Sequence, residues 1–107
     1  MKKHISVISI ILLSLSSMVV SCNQDEPRAC FKISTDYIFV DSIVKFEDCS
    51  EGVDSYLWDF GDGNSSTDAS PEHIYTESDY FNVSLTVKGK NESDVVEYPI
   101  TVYIPAN

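Results

Sequence analysis

The sequence predicts an all-β fold, an antiparallel β-sandwich or barrel built from short strands. Three observations lead to this prediction. Apolar and polar residues alternate along several short runs, apolar residues nowhere recur with helical spacing, and polar segments rich in turn-forming residues separate the runs. Five or more such strands in one small chain are typical of a sandwich or barrel.

The first 21 residues have the features of an export signal. Lys2 and Lys3 precede an uncharged run, residues 5–20, which at 16 residues is shorter than the roughly 20 apolar residues of a membrane span. Cys22 follows a small residue, and "VVSC" resembles the lipobox of bacterial lipoproteins, in which this cysteine carries the lipid. We therefore predict a lipoprotein signal peptide over 1–21 with lipidation at Cys22. A plain secretory signal is the alternative.

A short polar tether is predicted over 22–27, and a single domain over 28–107. The tether carries Asp25 and Glu26 close behind the lipidated cysteine, which resembles the export signal of some Gram-negative surface lipoproteins. The predicted location is therefore the outer membrane, with the chain exposed at the cell surface and held to the membrane by its lipid anchor.

The chain is strongly acidic, with a formal net charge of −10. Cleavage before Cys22 would remove two of the seven basic residues and none of the 17 acidic ones, so the charge would become −12. Such a surface repels the phosphates of nucleic acids and anionic lipids, and we expect neither as a partner. Solubility outside the cell is the simplest reason for the charge.

The strands are predicted from alternation, in chain order. The runs are "ACFKIS" from Ala29, "IVKFED" from Ile43, "SYLWDF" from Ser55, "YFNVSLTVKG" from Tyr80 and "VVEYPITVYI" from Val95. Pro99 interrupts the last run and favours an edge position or a bulge, because proline has no N–H to donate to a neighbouring strand.

Cys30 and Cys49 are the two cysteines left if Cys22 carries lipid, an even number for an oxidising compartment. Both fall out of phase with the apolar positions of their strands. If those strands are neighbours, a disulfide can cross the outer face of one sheet and add roughly 3 kcal/mol. Two free thiols are the alternative.

The stretch "WDFGDG", residues 58–63, admits three interpretations. Asp-Phe-Gly is a magnesium-binding element in protein kinases, but a glycine-rich loop, a strand lysine and a catalytic loop are all missing. An EF-hand requires an acid or amide at loop position 3, where Gly61 stands. The remaining interpretation is a strand end anchored by Trp58 and followed by a tight turn, whose aspartates accept hydrogen bonds from turn amides.

These residues resemble the PKD domain, an immunoglobulin-like β-sandwich of about seven strands. The resemblance covers residues 28–104. The matching positions are Tyr56, Trp58, Asp59, Phe60, Gly61, Asp62 and Gly63, then Pro71, His73 and Tyr75, then Val83, Leu85 and Val87. Two positions depart from the family pattern. Asp79 stands where the family has a glycine, and we expect Asp79 to adopt the left-handed conformation and so keep the turn. Phe81 stands where the family has a tyrosine, so the tyrosine hydroxyl is lost.

The resemblance implies a non-catalytic extracellular module for protein or carbohydrate binding. We therefore predict no enzyme activity, no catalytic residue, no cofactor and no metal. The partner is expected to be a surface protein or a polysaccharide. An accessory subunit of a polysaccharide-degrading or uptake complex is the alternative function.

Other candidate sites have simpler explanations beside them. His73 could belong to a Ser-His-Asp site, but it already has a structural place in the motif. The turn acids Asp59, Asp62 and Asp68 could hold calcium or be merely solvated. Aromatic residues outside the motif could stack on sugar rings or complete the core; they are Tyr37, Phe39, Tyr80, Tyr98 and Tyr103. The triplet Asp41-Ser42-Ile43 is similar to a short O-glycosylation motif of some Gram-negative surface proteins.

Overall fold

A computed structural model describes residues 26–106, which form eight β-strands and no helix. The strands are β1 (Phe31–Ile33), β2 (Ile38–Phe39), β3 (Ile43–Asp48), β4 (Ser55–Asp59), β5 (Ser65–Ser66), β6 (Glu72–Ile74), β7 (Tyr80–Lys88) and β8 (Ser93–Tyr103). Within this part of the chain, no helix is long and apolar enough to span a membrane. The predicted signal peptide (1–21), the lipidation site Cys22 and most of the tether (22–27) lie outside the described residues.

The strands form two sheets, and the prediction of a β-sandwich is confirmed. One sheet has three strands in the order β1-β3-β6, and the other has five in the order β2-β8-β7-β4-β5. All strand pairs are antiparallel except β2 and β8, which run parallel through Ile38–Val102 and Phe39–Tyr103. The count of eight strands exceeds the expected seven because short edge strands complete both sheets.

Alternation in β7 shows why these residues form strands. Val83, Leu85 and Val87 are fully buried, while the residues between them face the outside. Because successive side chains of a strand point to opposite faces, this period of two gives the sheet one apolar side. The apolar sides of the two sheets meet in one core, whose twelve buried residues are Phe31, Ile38, Val44, Phe46, Trp58, Phe60, Tyr75, Val83, Leu85, Val87, Ile100 and Val102.

Three strands were not predicted from the sequence. β5 and β6 lie in a segment that the sequence presents as a long turn, and β2 precedes the second predicted run. These strands have two or three residues each, which is too short for alternation to be recognised. They exist because longer neighbours supply their hydrogen-bond partners, as β3 does for β6 and β4 for β5.

Pro99 confirms the prediction of an edge position, because β2 lies beside only the last residues of β8 and leaves β8 as the edge of the sheet at Pro99. The N–H of Val102 donates to the carbonyl of Asp79, so in this antiparallel pair every second residue of β8 directs its polar backbone groups away from β7. Pro99 is one of those residues, and β2 pairs with β8 only from Val102 onwards. The missing N–H of Pro99 therefore costs the sheet no hydrogen bond.

The predicted disulfide between Cys30 and Cys49 is present. Cys30 precedes β1 and Cys49 follows β3, and these strands are antiparallel neighbours. The N–H of Cys49 donates to the carbonyl of Cys30 at 3.0 Å, and the two Cα atoms are 4.9 Å apart. Phe31 points into the core, so Cys30, the residue before it in the extended chain, points outward, as the alternation predicts.

Candidate functional site

The WDFGDG motif begins as a strand whose side chains fill the core. Trp58 and Phe60 are both buried, on the inner face of β4 and just beyond its end. Nε1 of Trp58 donates a hydrogen bond to the carbonyl of Asp68 at 2.8 Å. The indole thus fills the core and also fixes the loop between β5 and β6.

The second half of the motif is a turn, in agreement with the interpretation drawn from the sequence. Gly61 and Gly63 have φ angles of +84° and +93°, which side chains disfavour. Oδ1 of Asp59 accepts from the N–H of Gly61 at 2.9 Å, and Oδ1 of Asp62 accepts from the N–H of Asn64 at 3.1 Å. The two aspartates satisfy the turn amides that the sheet leaves unpaired.

His73 and Asp62 form a nearly buried pair. Nε2 of His73 lies 2.6 Å from Oδ2 of Asp62, and both side chains are about 14% exposed or less. The imidazole stacks on Phe60 at 4.1 Å and meets the edge of Tyr75 at 4.7 Å. Burial by itself would raise the pKa of Asp62, but hydrogen bonds with His73 and Asn64 outweigh it and lower that pKa.

Tyr75 fixes the same region from inside the core. It is fully buried, and its hydroxyl donates to the carbonyl of Phe60 at 2.9 Å. Burial, and then the negative charges of Asp62 and Asp59, raise the pKa of this phenol, so it remains a neutral donor. Phe81 stacks on Tyr75 at 4.9 Å, so an apolar ring contact occupies the position where the family has a tyrosine.

The turn acids do not form a metal cluster. In residues 26–106, no group of three or more His, Cys, Asp or Glu side chains has an arrangement that could hold a metal ion. The carboxylates of Asp59 and Asp62 instead bind turn amides and His73, and Asp68 accepts the Trp58 hydrogen bond through its backbone carbonyl. His73 is likewise engaged by Asp62 and Phe60, which gives it a structural role.

Asp79 behaves differently from the expectation. Asp41 is the one non-glycine residue with a positive φ in the described part of the chain, at 66°, so Asp79 does not adopt the left-handed conformation. Its Oδ1 accepts from the N–H of Tyr80 at 2.8 Å, and its carbonyl accepts from Val102. The carboxylate thus stabilises the turn without a left-handed residue. The expectation that Asp79 is left-handed was wrong.

Among the hydrogen bonds that sequence reasoning missed is one formed by Tyr56 of the motif. The hydroxyl of Tyr56 donates to Oδ2 of Asp48 at 2.7 Å, which links β4 to the end of β3 in the opposite sheet. This hydrogen bond, followed by burial, raises the pKa of Tyr56. The two residues are eight positions apart on different strands, and no local pattern in the sequence connects them.

The aromatic residues outside the motif separate into two sets. Tyr37, Phe39 and Tyr103 come together at the β2–β8 edge, where the ring of Tyr103 lies 6.3 Å from Tyr37 and 6.2 Å from Phe39. We call these three residues the aromatic patch. Tyr98 instead packs edge-on against Phe31 at 4.9 Å, and Tyr80 is largely exposed on β7.

The aromatic patch is exposed and firmly held. Tyr37 is 65% exposed, Phe39 38% and Tyr103 44%. Oγ1 of Thr35 donates to the carbonyl of Tyr37 and accepts from its N–H, while the hydroxyl of Ser42 donates to the carbonyl of Phe39. Large aromatic side chains that face solvent as a group are typical of binding surfaces.

A family model for the PKD domain matches residues 35–103, which include the motif, the disulfide-linked Cys49 and the aromatic patch. The chain belongs to the PKD domain family. This match confirms the resemblance found in the sequence, and it extends through all strands from β2 to β8. PKD domains are in general non-catalytic modules.

Known proteins similar to this chain include a metalloprotease and two solved β-sandwiches. The pre-pro-metalloprotease PrtV of Vibrio cholerae is 38% identical over 80 residues, which are 74% of this chain but 9% of PrtV. The crystal structure of the PKD1 domain of Vibrio anguillarum Epp is 30% identical with a TM-score of 0.66, over 78% of this chain and all of that one. A carbohydrate-binding module of the β-sandwich superfamily is 25% identical with a TM-score of 0.72, over 78% of this chain and 36% of that one.

Proposed function

We propose that this PKD domain is a non-catalytic module that binds carbohydrate through its aromatic patch at the cell surface, where a lipid on Cys22 anchors it. The observation that carries the proposal is the grouping of Tyr37, Phe39 and Tyr103 at the β2–β8 edge of the sandwich. The similarity to a solved carbohydrate-binding module supports it.

The patch has the two properties that sugar binding requires. The apolar C–H face of a sugar ring can cover an aromatic ring, and three neighbouring aromatics offer room for more than one sugar unit. Beside Tyr103 lies a groove of about 210 Å³, and its polar lining residues include Thr35, Asp36 and Thr101. These side chains can form hydrogen bonds with the hydroxyl groups at the edge of a sugar.

Charge restricts the class of polysaccharide. The chain carries a net charge of −10, and Asp36 lies in the groove beside the patch. Sulfated or uronic acid polymers would be repelled over the distance of a Debye length, about 8 Å at physiological salt. The proposed ligands are therefore neutral or cationic glycans.

The test is binding of the full chain, solubilised in mild detergent, to an array of neutral, cationic and anionic glycans. We expect retention on neutral or cationic polymers, and a loss of tenfold or more in affinity for the double variant Tyr37→Ala/Tyr103→Ala. The matched control is Leu57→Ala, which removes an exposed apolar side chain from β4, two strands away from β8 in the same sheet. Unchanged glycan binding by the double variant would contradict the aromatic patch as the binding site. An absence of glycan binding by the wild-type chain would contradict the proposal as a whole.

The anchor is tested separately. The variant Cys22→Ala should release the protein from the membrane fraction and remove the mass of the lipid from the mature chain. Unchanged membrane association would contradict lipidation at Cys22 and leave the glycan proposal intact.

A second candidate is an accessory subunit of a polysaccharide-degrading or uptake complex. The observation that favours it is that this chain matches only 9% of PrtV. In that protein the similar segment is a small part of a much larger chain, as expected of an accessory domain. Cross-linking of tagged chain on intact cells should then recover a polysaccharide-degrading enzyme or a transporter in fixed ratio. Recovery of the chain without such a partner would contradict the accessory role.

A further inference from the structure

β6 forms an open edge at the side of the sandwich opposite the aromatic patch. It is the outer strand of the three-stranded sheet, and β2, which carries Phe39, lies at the far edge of the other sheet. The N–H of Phe46 donates to the carbonyl of Pro71, so the register makes His73 the next residue to bond with β3. Glu72 and Ile74 therefore direct their N–H and C=O groups away from β3.

Those outward groups have no backbone partner in the described chain. Within residues 26–106, no backbone hydrogen bond outside the sheets involves Glu72 or Ile74, and β3 is the one strand that pairs with β6. Beside the edge lies a groove of about 540 Å³, lined by Ile43, Asn64, Ser65, Glu72, His73 and Ile74. The edge therefore has both unused hydrogen-bond groups and space for another strand.

The side chains at this edge combine apolar and acidic character. Ile43 and Ile74 are cross-strand neighbours, and both are about half exposed. Residues 41–48 and 59–76, which surround the groove, contain seven acidic residues and a single lysine, Lys45. The ammonium of Lys45 is 4.0 Å from the carboxylate of Glu72, and both side chains are more than half exposed, so this pair is weak and can be displaced.

We propose that the edge of β6 binds an extended basic segment of a partner protein, which adds a fourth strand to the three-stranded sheet. Backbone hydrogen bonds to Glu72 and Ile74 supply affinity, and side chains at alternate positions supply specificity. The guest residue beside Ile74 is apolar, and the guest residue beside Glu72 is lysine or arginine. The recognised pattern is thus an apolar and a basic residue two positions apart, without proline between them.

The probe is the acetylated and amidated peptide Ser-Thr-Val-Thr-Lys-Thr-Ser, titrated into the isotopically labelled full chain in mild detergent. We expect amide chemical shifts to change at residues 72–76 and 64–65. A peptide with glutamate in place of lysine should bind roughly tenfold more weakly. Shift changes confined to other strands, or none at millimolar peptide, would overturn the proposal.

Two variants distinguish strand pairing at β6 from non-specific binding of the peptide. Ile74→Pro removes an N–H that faces the open edge, a position where proline is tolerated in a folded sheet. It should weaken peptide binding at least fivefold, the equivalent of one lost hydrogen bond. Val95→Pro is the matched control, because Val95 also directs its N–H away from β7 at the edge of β8.

The outcome does not depend on the proposed sugar site. Tyr37→Ala/Tyr103→Ala should leave peptide binding unchanged, and Ile74→Pro should leave glycan binding unchanged. Equal loss of peptide binding in Ile74→Pro and Val95→Pro would contradict pairing at β6. The variant Ile74→Lys provides a second test, since it keeps the N–H but replaces the apolar contact with a charge that repels the basic guest.

Discussion

Nε2 of His73 lies 2.6 Å from Oδ2 of Asp62, a residue eleven positions earlier in the chain. Asp62 belongs to the turn after β4 in the five-stranded sheet, and His73 lies on β6 in the three-stranded sheet. The pair therefore joins β6, the outer strand of one sheet, to the turn that follows β4 in the other sheet. The residues that identify the family thus have a structural role, since they connect the two sheets.

The first prediction concerns acid stability. The pKa of Asp62 is lowered in the folded protein, so the carboxylate contributes stability above its unfolded pKa near 4, and this contribution is lost as pH falls through the lowered value. Asp62→Asn should lower the free energy of unfolding by about 1 to 3 kcal/mol at neutral pH. The difference from wild type should shrink below about pH 4.

Urea unfolding at several pH values measures this effect. Asp68→Asn is the matched control, because it removes an acid from the next loop, between β5 and β6, and the described hydrogen bonds of Asp68 involve only its backbone. If Asp62→Asn and Asp68→Asn have the same pH profile, the Asp62–His73 pair does not stabilise the fold.

The second prediction contrasts the two glycines of the motif. A Cβ on Gly61 would lie 2.6 Å from the carbonyl oxygen of Asn82, whereas a Cβ on Gly63 would have no heavy atom within 4 Å. Both residues have positive φ, which costs about 1 to 2 kcal/mol for alanine. Gly63→Ala should lose about that amount, and Gly61→Ala should lose clearly more because β4 and β7 must separate. Equal losses by chemical denaturation would contradict the close approach at Gly61.

The third prediction concerns Trp58. Trp58→Phe leaves a cavity in the core and removes the hydrogen bond to the carbonyl of Asp68, which is 2.8 Å from Nε1. We expect a loss of about 2 to 4 kcal/mol, together with faster amide exchange in the loop between β5 and β6. Leu57→Ala, at the exposed neighbouring position, should change stability by less than about 0.5 kcal/mol. A small loss in Trp58→Phe would mean that the indole does not fix the loop.

The fourth prediction concerns the disulfide. Cys30 and Cys49 are 19 positions apart, and closing a loop of this length stabilises a protein by roughly 3 kcal/mol. Cys30→Ala/Cys49→Ala should lose about this amount, as should wild type in reductant. Reductant should have no effect on the double variant. A mass that gains two alkyl groups without reductant would show free thiols and contradict the bridge.

Much of the fold could be predicted from the sequence because burial imposes a local pattern. The alternation through Val83, Leu85 and Val87 predicted β7, and the phase of Cys30 relative to Phe31 predicted a bridge on the outer face. The two aspartates of the motif were predicted to serve the turn amides, and they do. In each case the physical cause lies within a few residues of the feature.

The candidate sites depended on contacts between distant residues. The sequence named Tyr37, Phe39 and Tyr103 among five candidate aromatics, but the parallel pairing of β2 with β8 is what brings Phe39 beside Tyr103. The contact of Tyr98 with Phe31 joins strands of different sheets, so it depends on how the two sheets pack. The Tyr56–Asp48 hydrogen bond and the open edge of β6 also depend on how the sheets pair.

The amino-acid order by itself determined which residues face inward and where the chain turns, since a strand repeats every two residues and positive φ selects glycine. Tertiary structure decided which edges stay open and which aromatics become neighbours. Strands of two or three residues cannot be stable alone, so the position of β2, β5 and β6 follows from the longer strands beside them.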